Sequence, residues 1–328
     1  MEAANNYFSK DFEFEQLQQE IQKNPFHKHH LIPFNPIHTN KLSDANDNNN
    51  DEYSEAWNKF HATHLSGKFF KERRYLLKEF IELASCNDPT NILEVGCGTG
   101  STALPILRAT ENVTVYATDC SNEALERAKG IIETSNVHLA KQRFKTFLSD
   151  FTLSRFPNWL ACNSCRDNLM HKQPIDVPDT SSTTGEEFDK PDYAVEPACC
   201  IGGVDFVTLI FTLSAVPLHR MPSAIAECFH VLKPGGLLLF RDYGLYDMTM
   251  LRFQPEQRVG EREYVRSDGT RSYFFCLDNV KDLFCGAGFM KLELEYCCVK
   301  SVNRRNGKVM KRVWVHGKFE KPKCENSN

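Results

Sequence analysis

The chain of 328 residues has no apolar run approaching ~20 residues, so no helical membrane span is expected. Residues 1–24 are polar and acidic, with neither an apolar signal core nor an Arg-rich transit pattern. A dominant charge of one sign is missing as well: 39 Lys and Arg stand against 43 Asp and Glu, a net charge of −4. That balance by itself says nothing in favour of a nucleic-acid partner, and the distribution of charge matters more. Cysteine is not scarce. Thirteen are present, an odd number, and without a secretion signal they are expected to be reduced thiols. The expected setting is cytoplasmic, with the nucleus as the alternative. A composition 41% hydrophobic and 25% charged is that of a soluble globular protein, and the length allows one large core or one core plus an extension.

The organising stretch is residues 91–100, N-I-L-E-V-G-C-G-T-G. Ile92, Leu93 and Val95 form an apolar run that reads as a buried strand. Gly96, Gly98 and Gly100 then allow a turn in which backbone approaches a ligand closely. Thr99 and Ser101 open a helix expected over 102–108. A strand feeding a Gly-rich turn and a helix N-terminus is an anion and nucleotide site. A second strand, 113–118, ends in Asp119, where a carboxylate accepts hydrogen bonds from a ribose. The dinucleotide fingerprint needs G-x-G-x-x-G. Here the third Gly comes one place early and Glu94 precedes the first by two. E-x-G-x-G-x-G resembles the first motif of class I methyltransferases that use S-adenosylmethionine, whose methionine zwitterion suits a tight turn with an acid nearby.

Around that core the pattern divides the chain. Residues 1–52 read as an N-terminal extension, with a helix near 12–21, a loop bearing His27, His29 and His30, and a low-complexity linker at 44–51. The three histidines lack a partnering ligand at metal spacing, so a solvated loop is expected. Residues 53–90 form a helical segment in which Trp57, Phe60, Phe69, Phe70 and Tyr75 alternate with Lys59, Lys68, Arg73, Arg74 and Lys78. Two readings fit: a surface for single-stranded nucleic acid, or an amphipathic helix packing aromatics inward, which composition alone favours.

Strand by strand, the core continues through a helix over 122–132, with Ala124, Leu125, Ala128, Ile131 and Ile132 expected inward, and a strand over 143–148. Asp150 and Phe151 follow it at the ligand crevice, placed to accept an adenine amino group and cover its ring. Residues 152–203 interrupt with a polar, Ser/Thr- and Pro-rich insertion expected to be largely disordered. Its Cys162, Cys165, Cys199 and Cys200 allow a zinc clip across the base, but adjacent cysteines are awkward for tetrahedral ligation, and thiols with no metal are the expectation. Strands over 205–211 and 237–240 follow, separated by a helix over 222–232 and a Lys-Pro-Gly-Gly turn. The second delivers Arg241, Asp242 and Tyr243 to the crevice edge. A helix near 278–284 and a hairpin of 291–299 with 308–319, turning at Asn306-Gly307, close the sheet. Residues 299–328 hold nine Lys and Arg against two Glu, a local basic surface, of which 320–328 is the tail.

Beyond these shared features, F-F-K-E-R-R-Y-L (69–76), R-D-Y-G (241–244) with Y-D-M (246–248), and D-G-T-R-S-Y-F-F (268–275) resemble the eukaryotic tRNA 3-methylcytidine methyltransferases. The likeness covers 57–151 and 204–319. It implies an α/β, Rossmann-like class I methyltransferase fold: a seven-stranded, mostly parallel sheet with a C-terminal antiparallel hairpin and helices on both faces, forming a domain over 91–319. It implies S-adenosylmethionine as cofactor, held by Trp57, His61, Glu94, Gly96, Gly98, Asp119, Asp150, Phe151 and Ile210. It implies N3 methylation of cytidine 32 in a tRNA anticodon loop, with Ile210, Phe211 and Asp242 at the reacting centre. Asp242 would stabilise the cationic ring or pair with Arg241. Arg73, Arg74, Arg241, Arg266, Arg271 and Arg312 would contact RNA, reversing the composition-only reading of 53–90. A synthetase or another RNA-binding helper is an implied partner, and no metal is. The chain departs from the family in His61, where Tyr is usual, and in E-R-R-Y (72–75), where D-R-H-W is usual. The alternatives are a protein or small-molecule methyltransferase, or a non-catalytic subunit that docks RNA.

Overall fold

The computed structural model describes residues 10–35, 52–63, 72–168, 199–302, 307 and 309–323. The linker 44–51, Phe69, Phe70, Lys68, insertion residues 169–198, Asn306 and tail residues 324–328 lie outside the described residues.

Among the described residues, ten strands form two sheets: β1 (Thr90–Val95), β2 (Val113–Asp119), β3 (Phe144–Leu148), β4 (Val204–Ile210), β5 (Leu232–Tyr243), β6 (Arg258–Gly260), β7 (Glu263–Val265), β8 (Arg271–Tyr273), β9 (Met290–Val302) and β10 (Val309–Glu320). The main sheet runs β3-β2-β1-β4-β5-β10-β9. Its first five strands are parallel, and β10 pairs antiparallel with both β5 and β9. Strand order reverses between β1 and β4, which opens a crevice beyond their C-terminal ends. Among the described residues, the helices of six residues or more are α1 (Phe14–Lys23), α2 (Glu52–Thr63), α3 (Ala103–Ala109), α4 (Asn122–Glu133), α5 (Asn163–Asn168), α6 (Met221–Val231) and α7 (Leu277–Gly286). No helix of the described residues is long and apolar enough to cross a membrane.

Alternation along the strands divides the core into two layers, because successive side chains point to opposite faces. Ile92, Val115 and Leu239 pack with Ile106 and Leu107 of α3 and Ala128 and Ile132 of α4. Leu93, Val207, Leu209 and Phe240 pack with Ile225 and Cys228 of α6 and Phe284 of α7. Phe284 stacks on Phe319 of β10 at 4.3 Å. In α4, capped by the Ser121 hydroxyl, Leu125, Ala128 and Ile132 are buried. Ile131, expected inward, is exposed, since one helical step rotates it off that stripe.

β5 runs through the expected Lys-Pro-Gly-Gly turn. The turn survives as a bulge: the β4–β5 register jumps from Val204↔Leu232 to Phe206↔Leu237, with Gly235 at φ 77°. The insertion is not disordered at its base. Phe156, Leu160 and Ala161 are buried, and Arg166 of α5 pairs with Glu227 of α6 at 2.7 Å. The main-chain N–H groups of Ile201 and Gly203 donate to the Trp159 and Leu160 carbonyls, both at 2.9 Å.

β6–β8 form a three-stranded antiparallel sheet that periodicity did not foretell. With α1 it encloses a third apolar cluster around Leu17, Ile21, Met250, Phe253, Tyr264 and Phe274. The histidine loop docks there and is not solvated. His30 is buried with Nδ1 2.8 Å from the Tyr264 hydroxyl, and His29 Nε2 lies 3.0 Å from the Phe253 carbonyl. Burial pushes the His30 imidazole down to about 3, so it stays neutral.

Among the described residues, several cations of the expected basic C-terminal surface are tied to partners within the chain. Lys318 pairs with Glu82 at 2.7 Å and Glu293 at 2.8 Å, and Lys311 pairs with Glu20. Lys321 is buried and donates to the Phe229 and Leu232 carbonyls, both at 2.9 Å.

Candidate active site

A cleft of about 720 Å³ lies over the C-terminal ends of β1, β2, β4 and β5, roofed by α2 and flanked by β7–β8. Its floor is the glycine turn, with Gly96, Gly98 and Gly100 all at positive φ. A Cβ on Gly96 would stand 2.4 Å from Thr212 Cγ2, so glycine is required there for packing as well as for backbone conformation. Thr212 in turn donates its hydroxyl to the Val95 carbonyl at 2.9 Å, locking β1 to β4.

Asp119 ends β2 beside this turn. Its carboxylate accepts from the Gly98 N–H at 2.9 Å and the Ser121 N–H at 3.0 Å. Each oxygen has a second lone pair, which leaves capacity for a hydroxyl pair presented from the cleft. Burial raises its pKa, and the nearby His61 opposes that rise. Asp150, after β3, accepts from the Thr152 N–H at 3.0 Å, the Thr152 hydroxyl at 2.6 Å and the Ser54 hydroxyl at 2.6 Å. The Ser54 bond pins α2 across the cleft. Phe151 lies on the wall and stacks parallel to Phe156 at 6.2 Å. Trp57 and His61 also face the cleft from α2.

Glu94 does not stand on the wall. It is buried behind the turn, where Thr102 and the Ala103 N–H hydrogen-bond it at the start of α3. Its Oε2 has no hydrogen-bond partner among the described residues. Burial pushes its pKa up to about 7.

The far end of the cleft is aromatic. Phe211 has φ 57°, a left-handed conformation costly for a bulky residue, held by its N–H donating to the Arg241 carbonyl at 2.7 Å. Its ring lies 5.1 Å from Tyr243 and 6.2 Å from Trp314. Ile210 lies beside it on the wall. The Arg73 guanidinium covers Phe211 at 5.3 Å and donates to the Ile210 carbonyl at 3.4 Å. Arg312 covers Trp314 at 5.1 Å and pairs with the buried Asp247 at 2.8 Å. Arg266 and Arg271 enter from β7–β8. Arg266 donates to Thr270 Oγ1 at 3.3 Å, and Arg271 pairs with Glu263 at 3.2 Å.

Three expectations need correction. Arg241 is buried, ion-paired with Glu79 and enclosed by the faces of Trp314 at 4.4 Å and Tyr75 at 5.0 Å, so it cannot reach RNA. Asp242 neither pairs with Arg241 nor faces the cleft. Fully buried, it accepts from the Ser214 and Tyr243 N–H groups, both at 2.8 Å, and thereby fixes two residues of the wall. Burial lifts its pKa to about 6. Arg74 points away from the cleft, 74% exposed and paired with Glu72 at 2.8 Å. Trp314 and Ser54 are wall residues that sequence reasoning missed. Trp314 reaches the site only because β10 sets it opposite Tyr243, and Ser54 only because α2 folds back over β3.

The arrangement suits a nucleoside-bearing zwitterion at the glycine turn and a flat aromatic acceptor at the other end. Comparison with known proteins agrees. A family described as a methyltransferase domain matches residues 69–294. The human tRNA N(3)-cytidine methyltransferase METTL6 is 35% identical over 275 residues, covering 83% of this chain and 81% of that protein. The zebrafish (Danio rerio) tRNA N(3)-cytidine methyltransferase METTL2 is 33% identical over 311 residues, covering 84% and 74%. A solved S-adenosylmethionine-dependent methyltransferase from Anabaena variabilis superposes with a TM-score of 0.50 at 12% identity, covering 82% of this chain and 94% of that one. The chain belongs to the tRNA N(3)-cytidine methyltransferase family.

Proposed function

We propose that this cleft transfers a methyl group from S-adenosylmethionine to N3 of a cytidine in tRNA. The observation that carries the reading is the shared cavity: the glycine turn, Asp119 and Asp150 at one end, and Phe211, Tyr243 and Trp314 beneath guanidinium groups at the other. S-adenosylmethionine supplies an electrophilic methyl on a sulfonium. Asp119 is assigned to the ribose hydroxyls, Asp150 to the adenine amino group, and Phe151 to the ring face. Gly96 and Gly98 let the main chain approach the methionine end. Trp57 and His61 close over it from α2. Glu94 is assigned to bracing the turn from behind.

Neutral cytosine carries a lone pair on N3 and no proton there, so the acceptor needs no general base. The aromatic residues at the far end fit that chemistry. Their task is placement, which can contribute ~7–11 kcal/mol of the barrier. Ile210 and Phe211 set the floor under the acceptor ring. The Tyr243 ring favours the acceptor as it becomes cationic, by ~0.5–2 kcal/mol. Asp242 acts one step removed, as a positioning residue that holds Ser214 and Tyr243. Because N3 lies on the pairing edge, the base must be unpaired and turned out. A cytidine at anticodon-loop position 32 meets that requirement, and Arg73, Arg266, Arg271 and Arg312 are assigned to its phosphates.

Lys318, Lys321 and Arg241, basic residues that the sequence offered to RNA, are committed to internal bonds and give the body of a tRNA no grip. That favours a helper, a synthetase or another RNA-binding protein, that supplies the missing grip. Thirteen cysteines fit work in a reducing compartment, the cytosol, with the nucleus as the alternative. The test is incubation of the purified chain, alone and with cell extract, with labelled S-adenosylmethionine and total tRNA, followed by nucleoside mass spectrometry. Label in 3-methylcytidine supports the reading. Label only in other nucleosides, or only in protein, removes it.

A further inference from the structure

We propose that Cys162, Cys199 and Cys200 form a zinc site that clasps the two ends of the insertion. Far apart in sequence, the three thiols converge on one point. Cys162 Sγ lies 3.4 Å from Cys199 Sγ, and Cys199 Sγ lies 3.9 Å from Cys200 Sγ. All three sulfurs fall within 4.8 Å of one another. Zn–S bonds of ~2.3 Å arranged tetrahedrally place sulfurs ~3.8 Å apart, and the two separations straddle that value. A disulfide needs ~2.05 Å and uses only two of the three.

The adjacency of Cys199 and Cys200, which argued against ligation in the sequence, is accommodated by the backbone. Both sulfurs turn to the same side, and Gly202, at φ 74°, directs its N–H onto Cys200 Sγ at 3.3 Å. An amide aimed at sulfur is the kind of surrounding bond that holds a thiolate ligand in place.

Position gives the site its use. Cys162 immediately precedes α5, whose Arg166 is locked to Glu227, and Cys199 and Cys200 immediately precede the residues that lead into β4. Zn²⁺ would displace one proton from each coordinating thiol into solvent and join these ends beside the main-chain bonds Ile201–Trp159 and Gly203–Leu160. β4 leads directly into Phe211 in the cleft, so the clasp steadies the strand that carries the reacting end.

The experiment uses the full chain purified with a thiol reductant and no chelator. Elemental analysis is expected to give about one zinc per chain, retained in Cys285→Ser, whose thiol is exposed on α7, and lost in Cys199→Ser. Cobalt(II) in place of zinc is expected to show thiolate charge-transfer bands and the visible bands of tetrahedral coordination. Should Cys199→Ser fail to fold, native alkylation of the unaltered chain decides: Cys162, Cys199 and Cys200 are expected to resist labelling until a chelator is added. Absence of stoichiometric zinc together with no cobalt–thiolate bands overturns the proposal. So does equal labelling with and without chelator, or a Cys162–Cys199 disulfide in the reduced preparation.

Discussion

Replacing Asp119 should separate donor binding from everything else the cleft does. In the folded chain its two oxygens already accept from the Gly98 and Ser121 N–H groups at 2.9 and 3.0 Å. One charge-assisted hydrogen bond to a ribose hydroxyl contributes ~1.5–3 kcal/mol, which is about 10- to 150-fold in affinity. Asp119→Asn keeps the shape and one of the two acceptor oxygens, loses the charge, and sets its NH2 group against one of the two amides. It is expected to weaken S-adenosylmethionine binding by about tenfold or more, measured by calorimetry, with a smaller drop in melting temperature than Asp119→Ala. Asp119→Ala should do more. It removes the ribose contact and also strands two buried amides, each costing ~1–3 kcal/mol, so affinity and melting temperature should fall together. At saturating donor, Asp119→Asn should recover most of its turnover, because the residue lies at the opposite end of the cleft from Phe211. An unchanged dissociation constant in Asp119→Ala, with the fold intact by circular dichroism, would refute the ribose assignment.

Asp242→Ala is expected to leave donor affinity unchanged while lowering kcat, since it frees Ser214 and Tyr243 and not the glycine turn; a loss of donor binding instead would place Asp242 in the wrong half of the site. Arg241→Met should destabilise the chain by ~3–5 kcal/mol in denaturant titrations by leaving buried Glu79 without its cation, with only His316 beside it, and with no change in the salt dependence of tRNA binding. Arg271→Ala should reduce the slope of log affinity against log salt by about one, at little cost in stability; equal salt slopes in the variant and the unaltered chain would count against a phosphate contact. Glu94, with a folded pKa of about 7 against an ordinary 4.5, holds its proton to higher pH folded than unfolded. Its contribution to stability is therefore lost as pH rises from about 4.5 to 7, a decline of ~3 kcal/mol. Glu94→Gln should flatten that decline in unfolding titrations run at pH 5 and pH 8, and an identical pH profile would contradict the burial of this acid.

Much of the main sheet was legible because its signals are local. Ile92, Leu93 and Val95 before three glycines, and an acid at the end of the next strand, need no knowledge of the rest of the chain. Asp119, Asp150 and Phe151 could be placed for the same reason: strand ends in this topology face the crevice. What failed was nonlocal. Arg241 looked like an exposed cation at a strand end, and its burial depends on Glu79, far away in sequence, and on the register that brings Trp314 over it. Lys318 looked like part of a basic tail until Glu82 and Glu293 are folded beside it. The β6–β8 sheet escaped notice because its strands are three residues long and carry Glu263 and Arg271, which break the apolar alternation that marks a strand. The base of the insertion was misjudged because its Ser/Thr-rich middle masks the few apolar anchors, Phe156, Leu160 and Ala161, at its foot.

The most direct measurement of the central claim is a structure of the chain with S-adenosylhomocysteine and a cytidine-bearing anticodon stem-loop. The account predicts the ribose on Asp119, a flipped cytosine among Phe211, Tyr243 and Trp314, and N3 facing the sulfur with room for one methyl between them. A base bound outside this cleft, or a cytosine turned so that N3 faces away from the sulfur, would contradict it.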